Sequence, residues 1–381
     1  MLALASNAHG EPPSELPWTW ASDAASPRTI DPTTLSDREV DLQRVCGRGE
    51  QGLRTVAQRM VQQKLRDLPY LDADALAHAQ RVAGEPHVWP HGWVVSGRAL
   101  DHDATRQKLV VWAASFHDGG ERRCGVAIAY GADGTEADAA VAVDAEADVA
   151  ALPIRTRAGA WIPIDARLLV PATGARVVVM GPTGLPRTVP SELHDGRVRA
   201  QIALDQPGAF TVQLVADVAS GPRPVLEAVL FADAVPWTRM PDRAAPGENA
   251  ALPGAPEDAS LAAMIQAMRA VERLPPLTRD PRLDALALAH AQRMQAARLL
   301  AHDVGDGDPS HRMEASGVRP RTSGENVAHA ASTVLAHRAL YASPSHRSNL
   351  LAAAFDRMGV GVVRDADGSS WVAEEFAGGT R

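Results

Sequence analysis

Gly324-Glu325-Asn326-Val327-Ala328, then Ser343-Pro344-Ser345-His346-Arg347-Ser348-Asn349-Leu350-Leu351, then Gly359-Val360-Gly361-Val362: these three blocks decide how the last third of the chain is read. The first two set a carboxylate and an imidazole on turns beside apolar runs. Gly324 permits a tight turn, Pro344 fixes the backbone, and Ser345 is placed to cap the helix that follows. A second imidazole, His302, lies upstream in Leu300-Ala301-His302-Asp303. Two histidines and a glutamate converging on one pocket can bind a metal or transfer protons. Spacing by itself leaves their convergence open.

Around these blocks the patterns are ordinary. Leu283, Leu286, Ala287, Ala291 and Met294 recur at three- and four-residue spacing and form one apolar helix face. Trp371-Val372-Ala373-Glu374-Glu375-Phe376 reads as a strand that sends Glu374 and Glu375 to opposite faces. From the residues alone Glu374 is either an extra carboxylate at a pocket or a solvated side chain. Asn349 is either a neighbour of His346 on one helical face or a capping or core-edge amide. His311, His329 and His337 are expected at the surface. Ser343 and Ser345 flank His346 in sequence, which marks a turn and not a nucleophile triad.

The Leu-Ala-His loop, Arg312-Met313-Glu314-Ala315-Ser316-Gly317, Gly-Glu-Asn, Ser-Pro-x-His-Arg-x-Asn-Leu and the Gly-Val-Gly-Val strand occur in one order over residues 259–378. The set resembles the bacterial branch of the CAP superfamily, the SCP-like or cysteine-rich secretory proteins. The resemblance implies an α+β fold, with an α-β-α sandwich at 259–381 and a cleft lined by His302, Glu325 and His346. It also implies His302 and His346 as ligands of a divalent metal such as Zn²⁺. Eukaryotic members carry two His and two Glu, but Ala339 and Leu340 offer no acid here, so a triad is implied, with Glu374 as a possible addition. The family is usually secreted, which points to export or the cell envelope and to a lipid, glycan or envelope ligand. Two other readings stand beside this binding module. One is a metal-assisted, protease-like hydrolase with Glu325 as general base, and the other is a structural envelope protein.

At 381 residues the chain is long enough for two or three domains, and 45% hydrophobic content supports globular folding. A net charge of −8 argues against nucleic acid or an anionic membrane surface as partner. No apolar run reaches the ~18 residues that a spanning helix needs. Met1 to Ala8 reads as the tail of a signal peptide without its basic part, or as a plain terminus. Cys46 and Cys124 are either a disulfide, worth about 4 kcal/mol in the chain-entropy view, or two buried thiols.

The expected organisation is a disordered leader or signal-peptide remnant at 1–36, a degenerate CAP-like α+β domain at 37–146, and an antiparallel β-sandwich, possibly immunoglobulin-like, at 147–235. A Pro/Gly-rich linker at 236–258 then precedes the CAP domain at 259–381. The sandwich rests on period-two alternation: Ile162, Ile164, Ala166 and Leu168; Val198, Ala200, Ile202 and Leu204; Phe210, Val212 and Leu214. The degenerate domain rests on an internal repeat. Leu76-Ala77-His78-Ala79-Gln80-Arg81 is identical to Leu288-Ala289-His290-Ala291-Gln292-Arg293, Ser96-Gly97-Arg98 parallels Ser323-Gly324-Glu325, and Gly125-Val126 parallels Gly359-Val360. This alignment places Arg98 where the second copy has Glu325 and leaves gaps where it has His302 and His346. It also makes His78 the twin of His290 and casts His290 as a packing residue. The two copies are expected to pack on one another.

Overall fold

The computed structural model describes residues 16, 18–20, 23–117, 119–239, 244–251 and 254–379. The chain divides into two compact units, Met1–Ile154 with Val235–Met240, and Arg155–Ala234 with Pro241–Arg381. Among the described residues no helix is long and apolar enough to cross a membrane.

The first unit runs β1 (Ala24–Ala25), α1 (Asp37–Cys46), β2 (Arg48–Gly49), α2 (Gln51–Leu65), α3 (Ala73–Val82), β3 (His91–Gly97), α4 (His102–Ala113), β4 (Glu121–Tyr130), β5 (Glu136–Ala145), β6 (Ala147–Val149) and β7 (Leu152–Pro153). A reciprocal Ser36–Glu39 capping box starts α1, and Gly47 at φ 148° ends it. Its main sheet has the order β2-β4-β5-β3, with β2 parallel to β4 and the other pairs antiparallel. Leu53, Val56, Ala57, Met60 and Val61 of α2 are buried in the core that lies against β5. Cys46 of α1 and Cys124 of β4 are joined in a separate buried cluster with Leu42, Leu109 and Val126, their Cα atoms 5.8 Å apart.

Two expectations for this unit need correction. Residues 1–15, 17 and 21–22 of the expected leader lie outside the described residues, but 18–20 and 23–36 are folded in. Trp18 is buried, with the Arg59 guanidinium 3.4 Å above its ring and His78 edge-on at 4.7 Å. A Trp-sized apolar surface gains more by burial than a leader gains by remaining extended. The hexapeptide repeat is also out of register, as the second unit makes clear.

The second unit begins with β8 (Arg155–Thr156), β9 (Ala160–Leu168), β10 (Gly174–Met180), β11 (Arg187–Val189), β12 (Ser191–His194), β13 (Arg197–Leu204), β14 (Gly208–Val218) and β15 (Gly221–Ala232). One sheet has the order β11-β10-β14-β15-β8, and β9 and β12 flank β13 in another. Ile162, Ile164, Ala166 and Leu168 are buried on alternate positions, as are Phe210, Val212 and Leu214.

The remainder runs α5 (Glu257–Val271), β16 (Thr278–Arg279), α6 (Pro281–Ala297), α7 (Pro309–Ala315), β17 (Thr322–Ala330), α8 (Thr333–Ala342), α9 (Pro344–Leu350), β18 (Arg357–Arg364) and β19 (Ser370–Gly378). Of the stretch expected as a linker, 240–243 and 252–253 lie outside the described residues. Residues 244–251 are packed: Ala245 is buried and Glu248 pairs with Arg338 of α8.

The sheet order here is β16-β18-β19-β17, with β16 parallel to β18, the same order and sense as β2-β4-β5-β3. The helix after the short parallel strand is α6 here and α2 in the first unit. The repeated hexapeptide therefore falls on α6 and on α3, which are not counterparts. The buried run Leu53, Val56, Ala57, Met60, Val61 instead keeps step with Leu283, Leu286, Ala287, His290, Ala291. Met60, not His78, stands where His290 does. Strand pairing gives the same shift. Gly359 pairs with Glu375 and Glu375 with Glu325, whereas Gly125 pairs with Val141 and Val141 with Gly92. Gly92, not Arg98, holds the Glu325 position, and Arg98 lies exposed beyond β3 beside Asp133.

Candidate functional site

The candidate side chains gather at β17, the edge strand of the second unit's α/β sheet. Its register sets Glu325 opposite Glu375 and Asn326 opposite Glu374 on β19. Alternation sends the two pairs to opposite faces. Glu325 and Glu375 meet α7 and the loop after α6, while Asn326 and Glu374 lie under α9.

His302 Nδ1 donates to Glu325 Oε1 at 2.7 Å. The other carboxylate oxygen takes the guanidinium of Arg312, and the same arginine donates to the carbonyl of His302 at 2.7 Å. His290 Nδ1 donates to Asp306 Oδ2 at 2.9 Å and Nε2 to the Ala301 carbonyl at 3.1 Å, with Glu325 Oε2 at 3.9 Å. Burial pushes the Glu325 carboxyl up, but the bond and charge of His302 outweigh it and hold the group below the usual carboxylate range. Glu375 has the opposite balance. Burial and the adjacent Glu325 charge raise it well above that range, with Arg312 3.8 Å away. One carboxyl is held charged and its cross-strand partner neutral.

On the other face, His346 Nδ1 shares a hydrogen bond with Ser343 Oγ at 2.9 Å. Asn326 Nδ2 donates to the His346 carbonyl at 3.2 Å and to Glu374 Oε2 at 2.9 Å. Asn349 Nδ2 donates to the Glu325 carbonyl and to Asn326 Oδ1, which ties α9 to β17. Burial, with the charge of His302 adding to it, depresses the His346 imidazole to about 3.

His302 and Glu325 are bonded directly on one face of β17, whereas His346 is tied through its carbonyl to Asn326 on the other, with Glu374 on that second face. Glu374 is fully buried, bound to Asn326, and raised to about 7 by burial. The sequence reading missed Arg312, Glu375, Asp306 and His290. His290 was assigned to packing on the strength of the misregistered repeat. Arg312 stood in a quoted stretch without a role, and Glu375 could be found only by pairing the two strands. His337, expected at the surface, is buried and donates from Nε2 to the Pro246 carbonyl. His329 is exposed, as expected, and stacks on Trp371 at 4.1 Å.

The donor set limits what metal chemistry is open. Glu325 is taken up by His302 and Arg312, and a guanidinium at its second oxygen opposes a nearby dication. Among the described residues no group of three or more His, Cys, Asp or Glu is arranged to hold a metal ion. The Nε2 atoms of His302 and His346 are the nitrogens left by the Nδ1 bonds. A ligating histidine commonly has its other ring nitrogen bonded to a carboxylate, as His302 does.

Residues 262–374 match the family model described as CAP, the Cysteine-rich secretory protein family. An outer surface protein from Borrelia burgdorferi is similar at 20% identity, over 32% of this chain and 92% of that one, with a TM-score of 0.30. An extracellular protein containing a SCP domain from Bacillus anthracis matches at 16% identity over 61% and 86%, TM-score 0.29. A cysteine-rich secretory protein from Staphylococcus aureus matches at 16% over 62% and 81%, TM-score 0.27. No curated protein matches the chain.

Proposed function

We propose that the CAP domain at residues 262–374 is a ligand-binding module of an exported or envelope-associated protein. In this reading its cleft presents the Nε2 edges of His302 and His346 to a polar ligand, such as a glycan or a lipid headgroup. The supporting observation is the engagement of Glu325, whose two oxygens go to His302 Nδ1 and to Arg312. A carboxylate so bound orients an imidazole and does not stand free to take a proton from water, which counts against the hydrolase reading. Were a Zn²⁺ ion to bind, the Nε2 atoms of His302 and His346 would be its protein ligands, and it would supply open positions for a ligand oxygen. The first unit fits a duplicated CAP-like fold without this chemistry, since Met60, Gly92 and Val141 stand in place of His290, Glu325 and Glu375.

The test uses the full chain and a panel of glycan fragments and phospholipid vesicles, read by amide shifts at Glu325, Asn326 and His346. Shifts that vanish in His302→Ala with His346→Ala support the reading. Hydrolysis of any panel member that is lost in Glu325→Gln would move the conclusion to the enzyme.

A further inference from the structure

We infer that the sheet containing β10, β14 and β15 forms a working wall of the cleft: Gln213 caps the helix that carries His346, and the Ser220–Gly221 turn sets the loop that carries His302. The inference rests on the reading of the cleft as a binding site.

The first contact answers a local deficit. A helix start leaves backbone N–H groups without partners, and the residue before α9 is a serine suited to satisfy one. Ser343 makes no such cap bond, because its hydroxyl is held by His346 Nδ1 at 2.9 Å. The Ser345 N–H instead donates to Gln213 Oε1 at 3.1 Å. Gln213 is a buried residue of β14, and its Nε2 donates to Glu227 Oε2, its cross-strand partner, at 3.1 Å. A buried amide satisfied at both ends is fixed in place, and moving α9 away would strip its acceptor. Arg347 of α9 reaches Met180 Sδ of β10 at 3.4 Å, a second hold on the same helix.

The second contact lies at the end of the same hairpin. Asp303 N–H donates to the Ser220 carbonyl at 3.0 Å, one residue after His302. Gly221 sits at φ 101°, and a Cβ there would stand 2.5 Å from His302 Cβ. Only glycine takes that backbone conformation easily, and only a residue without a side chain permits the approach. One hairpin therefore touches both histidine-bearing segments. Gln213 is a positioning residue acting through Ser345, with no direct part in ligand contact.

The experiment follows the carbethoxylation of single histidines by diethyl pyrocarbonate in the full chain, mapped by peptide mass. The variants are Gln213→Met, Gln213→Glu with Glu227→Gln, and Gly221→Ala, with His329 as internal control. Loss of a cap loosens a helix end by about fivefold, so Gln213→Met is expected to raise the His346 rate about that much and leave His329 unchanged. Gln213→Glu, made together with Glu227→Gln so that an amide still donates to a carboxylate across the strands, keeps an acceptor for the Ser345 N–H and returns the rate towards the parent value, and Gly221→Ala raises the His302 rate. Unchanged rates at both histidines in folded Gln213→Met and Gly221→Ala overturn the inference. Should Gln213→Met fail to fold, Gly221→Ala decides alone. Unchanged rates with ligand shifts intact sink the wall and spare the binding site, and raised rates with no ligand shift do the reverse.

Discussion

Glu325 and Glu375 face each other across β17 and β19, both out of water, with the Arg312 guanidinium bound to the first and 3.8 Å from the second. Two buried carboxyls at that separation cannot both be charged at low cost, and one cation offsets one charge. Arg312→Met is therefore expected to cost about 3–5 kcal/mol in urea unfolding, because it leaves a buried charge without its partner. Glu375→Gln replaces a group already held neutral and is expected to stay within about 1 kcal/mol of the parent. Equal losses in the two variants would contradict this division of charge.

A pH signature should come from Glu374. Burial raises its carboxyl to about 7 against 4.5 for the free group, with the Asn326 bond opposing. Between those values the unfolded chain has lost the proton that the folded chain keeps, so stability falls as pH rises from 4.5 to 7 and then levels. The loss is on the order of 3 kcal/mol. Glu374→Gln, still bonded to Asn326, is expected to flatten this slope in urea titrations across the window.

The first unit should show its own pH window, set by His87. Burial lowers this imidazole, but the charge of Glu85 and bonds to Glu85 and Asp148 outweigh it and raise the group to about 9 from 6.5. His87 Nδ1 lies 2.5 Å from Glu85 Oε1 and Nε2 lies 3.4 Å from Asp148 Oδ1. A raised imidazole contributes its stability in full below 6.5 and loses it as pH climbs through 9. Amide exchange around His87 is expected to accelerate over that range, and His87→Gln to remove the dependence.

Much of this was legible where one residue's neighbours in sequence are also its neighbours in space. The apolar face of α6 and the alternation of β9 and β14 came directly from spacing, but the turn expected at Gly324 is the interior of β17, where the glycine instead leaves room for Asn349 and Phe355. Pairing across strands was not legible in the same way. Glu375 joins Glu325 only through a register 50 positions long, and the sequence reading singled out Glu374 in its place. β5 was equally opaque, because Glu136–Ala145 is buried on both faces, Glu136, Asp138 and Asp144 included, so its polar residues mark no solvent face. An identical hexapeptide outweighed the subtler agreement of buried positions between α2 and α6. Alanine-rich helices repeat by chance more readily than packing does.

That agreement supplies the last prediction. A Cβ on Gly359 would overlap the backbone of Leu283 and Asp284, and one on Gly361 would overlap that of Ala287 and Leu288, so α6 lies directly on β18. Gly125 of β4 stands in the same relation to Leu53 and Arg54 of α2. Only glycine lets a helix backbone come so near a strand, and overpacking of such a contact costs about 1–3 kcal/mol or more. Gly359→Ala should therefore lower the unfolding midpoint of the second unit and Gly125→Ala that of the first. Because His290 rides on α6, Gly359→Ala should also displace the ring resonances of His290 and His302 in a folded sample. The Gly125→Ala variant, whose helix carries Met60 at the corresponding position, should leave those resonances where they are. A shift of both histidines in Gly125→Ala, or of neither in Gly359→Ala, would break the proposed link between this strand-helix contact and the cleft.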